Sequence, residues 1–257
     1  VVGDDRDQPL QMIERFRASG LSHLTAVSGQ NVSFVLMAAA PLLRVLRPGW
    51  RWAVTLALIL WFVSLTRFEP SIMRAGAMAA LSATAFVLGR ERSPIRILWL
   101  AVTGLLLIDP LLAGSVGFWL SVGATAGVAA LGPPIARRLG PLGFLATPVG
   151  VTLGAQVGVV LPAVLVFGRL PIVSIPANLL AVPVAGFVML YGLPAGLVAG
   201  ACPPIAPAVR FPCRVGVRWV DTIAVLGARL EPGGAATWTG WVVLTVVFGA
   251  WIAVDRR

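Results

Sequence analysis

The stretch that decides the fold is L-A-T-P-V-G-V-T-L-G-A-Q-V-G-V-V-L-P-A-V-L-V-F-G, which runs from Leu145 to Gly168. It contains no ionisable side chain. A helix needs about 20 consecutive apolar residues to cross the hydrocarbon core of a bilayer, and this stretch is long enough. It therefore predicts a membrane-spanning helix.

Further apolar stretches of similar length lie on both sides of this one. One of them contains Pro176, Pro183 and Pro194, which favour a kinked or split helix that borders a cavity. The predicted fold class is all-α: a polytopic transmembrane helical bundle of about eight spans, with at least one broken or kinked helix. The eight predicted spans lie at residues 29–46, 51–67, 71–89, 95–109, 113–131, 145–168, 172–200 and 238–254.

Composition also excludes an ordinary soluble domain. Of the 257 residues, 58% are hydrophobic and 12% are charged, whereas a soluble domain carries about 25% charged residues. The twenty basic residues are all arginine, and they outnumber ten acids to give a formal net charge of +10. We attribute this excess to the basic cytoplasmic loops of a bacterial membrane protein rather than to polyanion binding.

The arginines also predict an orientation. They cluster in loops two crossings apart, around Arg47, Arg92 and Arg137, which places these loops in the cytoplasm and the amino end outside. The stretch 202–234 is rich in Pro, Arg and Gly, and we expect its mildly amphipathic piece, from Trp219 to Leu230, to lie at the interface or to re-enter the membrane. Its two cysteines are expected to be free thiols, because the cytoplasm is reducing.

Residues 1–20 differ from the remainder because seven of these twenty residues are charged. Leu10, Ile13 and Phe16 recur at helical spacing, which predicts either a short amphipathic lead-in helix at the membrane surface or a solvated linker helix. Residues 21–257 are predicted to form the transmembrane domain. We also expect the chain to be part of a longer polypeptide.

A dense polar run, G-L-S-H-L-T-A-V-S-G-Q-N, precedes and opens the first span at Gly20 to Asn31. Polar side chains are costly in lipid, so these must face other helices or water, either as interhelical contacts or as the lining of a pathway. Together with isolated polar groups in later segments they are the candidate lining residues: Ser22, His23, Thr25, Ser28, Gln30, Asn31, Arg74, Asp109, Ser121, Gln156 and Asn178.

Enzyme activity is not expected from these residues. His23 is the only histidine, which excludes a multi-histidine metal site. Ser28 lies five positions later, about 140° around a helix, so the two side chains are poorly placed to form a nucleophile and base pair. We therefore expect no catalytic residue, no cofactor and no metal. Arg74 and Asp109 are expected either to pair or to reach separately to the membrane interface.

Four stretches, taken in their order along the chain, resemble a known family, and we call them the recognised stretches. They are Gly20 to Asn31, P-S-I-M-R-A at Pro70 to Ala75, D-P-L-L-A-G-S-V-G-F-W-L-S at Asp109 to Ser121, and P-I-V-S-I-P-A-N-L-L-A-V-P at Pro171 to Pro183. In this order they resemble the ComEC family of bacterial DNA uptake channels. Many relatives continue with a Leu-His pair after the Ser-Gly of the first stretch, whereas this chain has Gln30 and Asn31. A hydrogen-bonding role survives that change, but proton transfer does not.

The resemblance implies a membrane competence domain that conducts single-stranded DNA during natural transformation. It implies a multi-pass protein of the bacterial cytoplasmic (inner) membrane, flanking soluble domains on the same polypeptide, a DNA receptor outside and a helicase motor inside. Small residues repeated every fourth position, as at Gly150, Gly154 and Gly158, leave a homodimer possible. The alternative function is a secondary transporter for a small solute, which a proline-broken span would also suit.

Overall fold

The computed structural model describes residues 9–25, 29–90, 93–168 and 170–243, and the regular structure in these residues is entirely helical. The predicted all-α class is therefore confirmed. The helices are α1 (Leu10–Ala18), α2 (Ser22–Thr25), α3 (Gln30–Val45), α4 (Pro48–Leu65), α5 (Pro70–Val87), α6 (Pro94–Ile108), α7 (Val116–Arg138), α8 (Ala146–Phe167), α9 (Ser174–Ala201) and α10 (Ala206–Leu230). Residues 234–243 are also helical.

Proline places the starts of three of these helices. Pro48, Pro70 and Pro94 each occupy the first helical position of α4, α5 and α6. Proline suits that position because its φ is already helical and its missing N–H would have no partner there. Three short 3-10 turns, Pro110–Gly114, Gly140–Leu145 and Pro203–Ile205, lead into α7, α8 and α10.

Four helical stretches in the described residues are long and apolar enough to cross a membrane, which indicates a membrane protein. They are Pro48–Leu65, Val116–Arg138, Gly140–Phe167 and Ser174–Ala201. Gln30–Val45 and Pro94–Ile108 are apolar but shorter. The predicted count of about eight spans is thus not confirmed, and most of the span predicted at 238–254 lies outside the described residues.

The structure refines two predictions about the carboxyl half. The segment predicted to be kinked or split is one continuous helix, α9, which contains Pro183 and Pro194, so it is not split. The piece at residues 219–230, predicted to lie at the interface or to re-enter, belongs to the 25-residue helix α10, and its position relative to the membrane stays a prediction. α10 packs antiparallel along α9, as shown by Trp219 Nε1 donating to the carbonyl of Leu180 at 3.0 Å and Tyr191 Oη donating to that of Val209 at 3.0 Å.

A seam of glycines joins α7 to α8. A Cβ atom added at Gly127 would overlap the carbonyl oxygen of Gly154, and one added at Gly123 would overlap that of Gly158. The two backbones therefore meet directly, which only glycine allows. This contact uses the small-residue repeat of α8 within the chain, so the repeat gives no support to a homodimer.

Successive helices run antiparallel, so the loops gather at two ends of the bundle. Trp52 at the start of α4 donates to Thr84 near the end of α5 at 3.1 Å, and the Arg51 guanidinium lies 5.3 Å from the centre of the Phe86 ring. We call this the arginine end, because the basic loops after α3, α5 and α7 lie there. The opposite end holds the starts of α3, α5, α7 and α9, and we call it the motif end.

The helix α1 forms where the spacing of Leu10, Ile13 and Phe16 predicts a helix. Only Phe16 of these three is buried, and it packs in a cluster with Val220 and Ala224 of α10. α1 is therefore fixed to the bundle at the motif end. The expectation of a helix lying on the membrane surface or solvated as a linker was incomplete, because α10 supplies an apolar partner.

Candidate functional site

Arg74, in the second turn of α5, is the central side chain of the motif end. Only 6% of its surface is exposed. Its Nε donates to Oγ of Ser121 on α7 at 2.8 Å, and its Nη1 lies 3.0 Å from Sδ of Met78. Neither partner carries a charge. In the part of the chain that the structure describes, no carboxylate pairs with this guanidinium. Burying an unpaired guanidinium is costly, so such a residue marks a candidate functional site.

The first polar run passes directly over this guanidinium. A Cβ atom added at Gly29 would lie 3.0 Å from Nη2 of Arg74, 2.8 Å from Cβ of Ala75 and 3.3 Å from the carbonyl oxygen of Ser71. Only a residue without a side chain fits this space unless its neighbours move. Three of the four recognised stretches therefore meet around one side chain.

The fourth recognised stretch meets the first at Gly20. Gly20 has a φ of 74°, and an added Cβ would overlap Cβ of Ser174, the first residue of α9. Ser174 is itself buried, and its hydroxyl donates to the carbonyl of Pro171 at 2.7 Å. The preceding residue, Ser19, contacts α10, because a Cβ atom added at Gly227 would lie 2.8 Å from Cβ of Ser19.

Two amides near this end have buried atoms that find no hydrogen-bond partner among the described residues. Nδ2 of Asn31, in the first turn of α3, is an unpaired donor, and Oδ1 of Asn178, in the second turn of α9, is an unpaired acceptor. Leaving such a group buried costs about 1–3 kcal/mol.

The remaining candidates are more scattered. Ser22, His23 and Gln30 are exposed, and the Thr25 hydroxyl donates to the carbonyl of Ser22 at 2.8 Å. Ser28 lies outside the described residues. Gln156 is buried, but it lies farther from the motif end, between Gly154 and Gly158, two of the three glycines of α8 that face α7.

The expected pairing of Arg74 with Asp109 is wrong, and so is the expectation that Arg74 reaches the interface, whereas the interfacial position of Asp109 stays a prediction. Arg74 neither pairs with Asp109 nor reaches the interface, because Ser121 and the helix packing hold it inside the bundle. Asp109 instead accepts a hydrogen bond from the backbone N–H of Leu111 at 3.0 Å and caps the 3-10 turn before α7. This is an ordinary capping role for aspartate.

Sequence reasoning missed Glu231. Its carboxylate accepts the backbone N–H of Val173 at 3.2 Å and the hydroxyl of Thr237, so it links the start of α9 to the helical segment 234–243. No local pattern marks a glutamate before Pro-Gly-Gly as such a link. Its partners lie 58 and 6 positions away, and only the fold brings the farther one near.

The chemistry available in the described part of the chain is hydrogen bonding and positive charge. No group of three or more His, Cys, Asp or Glu side chains there is arranged to hold a metal ion. Cys202 is exposed, Cys213 is partly exposed, and both are free. The motif end thus offers amides, hydroxyls and one buried guanidinium, which suit an anionic or polar ligand.

Comparison with known proteins agrees with these residues. The family model described as "Competence protein" matches residues 1–255. The chain is 33% identical over 204 residues to "Competence protein ComA" of Neisseria gonorrhoeae, covering 76% of this chain and 28% of that protein. It is 25% identical over 224 residues to "Uncharacterized protein YcaI" of Escherichia coli (strain K12), covering 79% and 29%. The chain therefore spans less than a third of these relatives, and no solved structure matches it.

Proposed function

Because this chain belongs to the competence protein family, we propose that it serves DNA uptake in natural transformation, as the membrane domain that conducts a single DNA strand across the cytoplasmic membrane. In this role the domain binds and guides the strand and performs no chemistry of its own. It crosses the inner membrane several times, and the lipid bilayer surrounds its apolar helices.

The meeting of the recognised stretches around Arg74 is the observation that carries this proposal. A DNA strand has a negative charge at each phosphate and hydrogen-bonding groups on each base. The entrance of a channel for such a strand therefore needs a cation and polar groups that bind the strand weakly enough for it to move on. Arg74 supplies the cation, and the unpaired amide groups of Asn31 and Asn178 supply a donor and an acceptor.

The proposed orientation follows from the two ends of the bundle. The arginine end faces the cytoplasm, because basic loops remain on that side, and the motif end faces outward. A DNA receptor outside would deliver the strand to the motif end, and a helicase motor inside would draw it from the arginine end. The flanking soluble domains expected on the same polypeptide would complete both entrances.

The test is entry of labelled DNA into cells that lack the full-length gene. The gene is restored as wild type, as Asn31→Leu, or as Ser33→Leu, which changes an exposed position of the same helix. We expect deletion to abolish entry while DNA still binds the cell surface. Asn31→Leu should reduce entry about tenfold at normal membrane levels, because one hydrogen bond worth roughly 1.4 kcal/mol is lost, whereas Ser33→Leu should restore entry.

The opposite results have definite meanings. Normal DNA entry in the deletion strain would refute the DNA assignment, and a small-solute transporter would then be the better hypothesis. Full entry with Asn31→Leu would remove this amide from the pathway while leaving the family role intact.

A further inference from the structure

The helix α10 carries a line of arginines that the motif end does not use. Arg210, Arg214 and Arg218 recur every fourth residue, and all three are exposed. Positions four apart advance by only about 40° around a helix, so these side chains share one face. Arg229 lies eleven residues after Arg218, close to three whole turns, and continues the same face. We call these four residues the arginine track.

The buried side of α10 is turned away from this track. Gly216, Val220, Ile223, Ala224 and Gly227 are buried against α1 and α9. At about 100° per residue, this group is centred more than 120° around the helix from the arginine track. Burial therefore fixes the rotation of α10, and the arginines must project away from the two helices that hold it.

The track side also carries other exposed residues, among which Asp221 is the one acid and Phe211 is apolar. Between the track and the buried side, exposed apolar residues lie on both flanks: Val215, Trp219 and Leu226 on one, and Val217 on the other. An apolar sector of this kind suits lipid, whereas four arginines and an aspartate do not.

The register of α10 on α9 sets the depth of the arginine track. At the motif end, Glu231 after α10 contacts Val173 before α9. Most of the way toward the arginine end, Val209 of α10 contacts Tyr191 of α9. α9 is one of the helices long and apolar enough to cross a membrane. From Arg210 to Arg229 the track extends about 29 Å at 1.5 Å per residue, close to the roughly 30 Å thickness of a hydrocarbon core.

We propose that the arginine track lines a water-filled pathway through the membrane and holds the phosphodiester groups of one nucleic-acid strand. Arginines at this depth are stable only beside water or an anion. Phosphates spaced along a strand match cations spaced along a helix in charge, and Asp221 weakens the hold so that the strand can move. This inference rests on the proposed DNA role and extends it to a residue set distant from Arg74.

The first test measures water access and needs no DNA. The full-length protein, with Cys202→Ser and Cys213→Ala to remove the native thiols of this domain, receives a single cysteine at Arg214, Arg218, Val215 or Leu226. It is reconstituted in zwitterionic lipid vesicles and treated with a charged methanethiosulfonate. We expect cysteines at the arginine positions to react at least tenfold faster than those at the apolar positions. Equal rates would overturn the water-lined pathway.

The second test asks what occupies the track. A single-stranded oligonucleotide is added to the same vesicles, with a cysteine in place of Arg47 in the α3–α4 loop as the control. We expect the oligonucleotide to slow the reaction at the positions of Arg214 and Arg218 at least threefold and to leave the control unchanged. No protection would overturn the binding of a strand.

An anionic lipid headgroup is the competing occupant. If vesicles containing phosphatidylglycerol, without DNA, slow the reaction at the track as strongly as the oligonucleotide does, lipid binds there and the proposal is wrong. These measurements distinguish the two proposals. If the thiol reactions contradict the track while DNA entry still depends on the gene, only the arginine track is refuted. If DNA enters the deletion strain normally, the DNA role that both proposals need is refuted.

Discussion

Arg74 shows how one residue acquires its character from distant parts of the chain. Its sequence context, P-S-I-M-R-A, indicates only an arginine near the start of an apolar helix. In the folded chain Ser121 accepts its Nε–H from 47 positions away, and Gly29 leaves room for its Nη2. The guanidinium is thereby held inside the bundle rather than at its surface.

The contact between Arg74 and Ser121 can be measured by a double-mutant cycle. Ser121→Ala, Arg74→Met and the double variant are compared with wild type by thermal unfolding in detergent. A hydrogen bond from a charged donor contributes roughly 1.5–3 kcal/mol, so we expect a coupling energy in that range. Ser33→Ala, at an exposed position, is the control and should change stability by less than about 0.5 kcal/mol. A coupling energy near zero would contradict the buried contact.

At the scale of elements, close helix contact depends on where glycine lies. Gly127 of α7 touches the backbone of α8, whereas a Cβ atom added at Gly104 of α6 would meet no atom of another element within 4 Å. Both residues lie inside apolar helices, and the four-residue spacing of Gly123 and Gly127 favours Gly127 as the contact residue. The difference arises because only one of them faces a neighbouring backbone.

Alanine at these two glycines should therefore have opposite effects. Gly127→Ala forces α7 and α8 apart and should destabilise the protein by about 2 kcal/mol. Gly104→Ala adds a methyl group in open space and should stabilise it by up to about 1 kcal/mol, because alanine favours the helix. Thermal unfolding of the two variants in one detergent decides the matter. Equal effects would mean that the glycine seam is not a close contact.

At the scale of the whole molecule, antiparallel helices sort the loops into two ends. The arginine end includes the loop that carries Cys202, which is exposed after the last turn of α9. The motif end includes Arg67, between α4 and α5. A fixed orientation in the membrane therefore makes these two positions face opposite compartments.

This orientation can be tested with one native and one introduced thiol. In a background with Cys213→Ala, a membrane-impermeant maleimide should label Cys202 in inverted vesicles and not in intact spheroplasts. A variant with Cys202→Ser and Arg67→Cys should show the reverse, because the basic loops stay in the cytoplasm. Labelling of both thiols from one side would show that the helices between them do not cross as proposed.

The sequence by itself determined the class of protein, the family and most helix positions. Each of these properties can be read from neighbouring residues or from their order along the chain. The signals are the mean hydropathy of about 20 residues, a proline at a helix start, and the order of the four recognised stretches. The same local signals predicted a kinked or split helix at the prolines of α9, whereas α9 is not split and packs against α10 at Leu180 and Tyr191. They also failed to predict α10 as one long helix, because its arginines lower its hydropathy. The other face of this helix carries buried glycine and apolar residues that pack against its neighbours.

Only the tertiary structure decided which polar residues act together. It brought Gly29, Arg74 and Ser121 to one place and gave Asp109 a local capping role. It also buried one amide atom each of Asn31 and Asn178 with no hydrogen-bond partner in the described part of the chain. The physical reason is that a hydrogen bond or a steric contact depends on distance in space. Residues tens of positions apart reach that distance only when helices pack, so their partners are absent from any local pattern in the sequence.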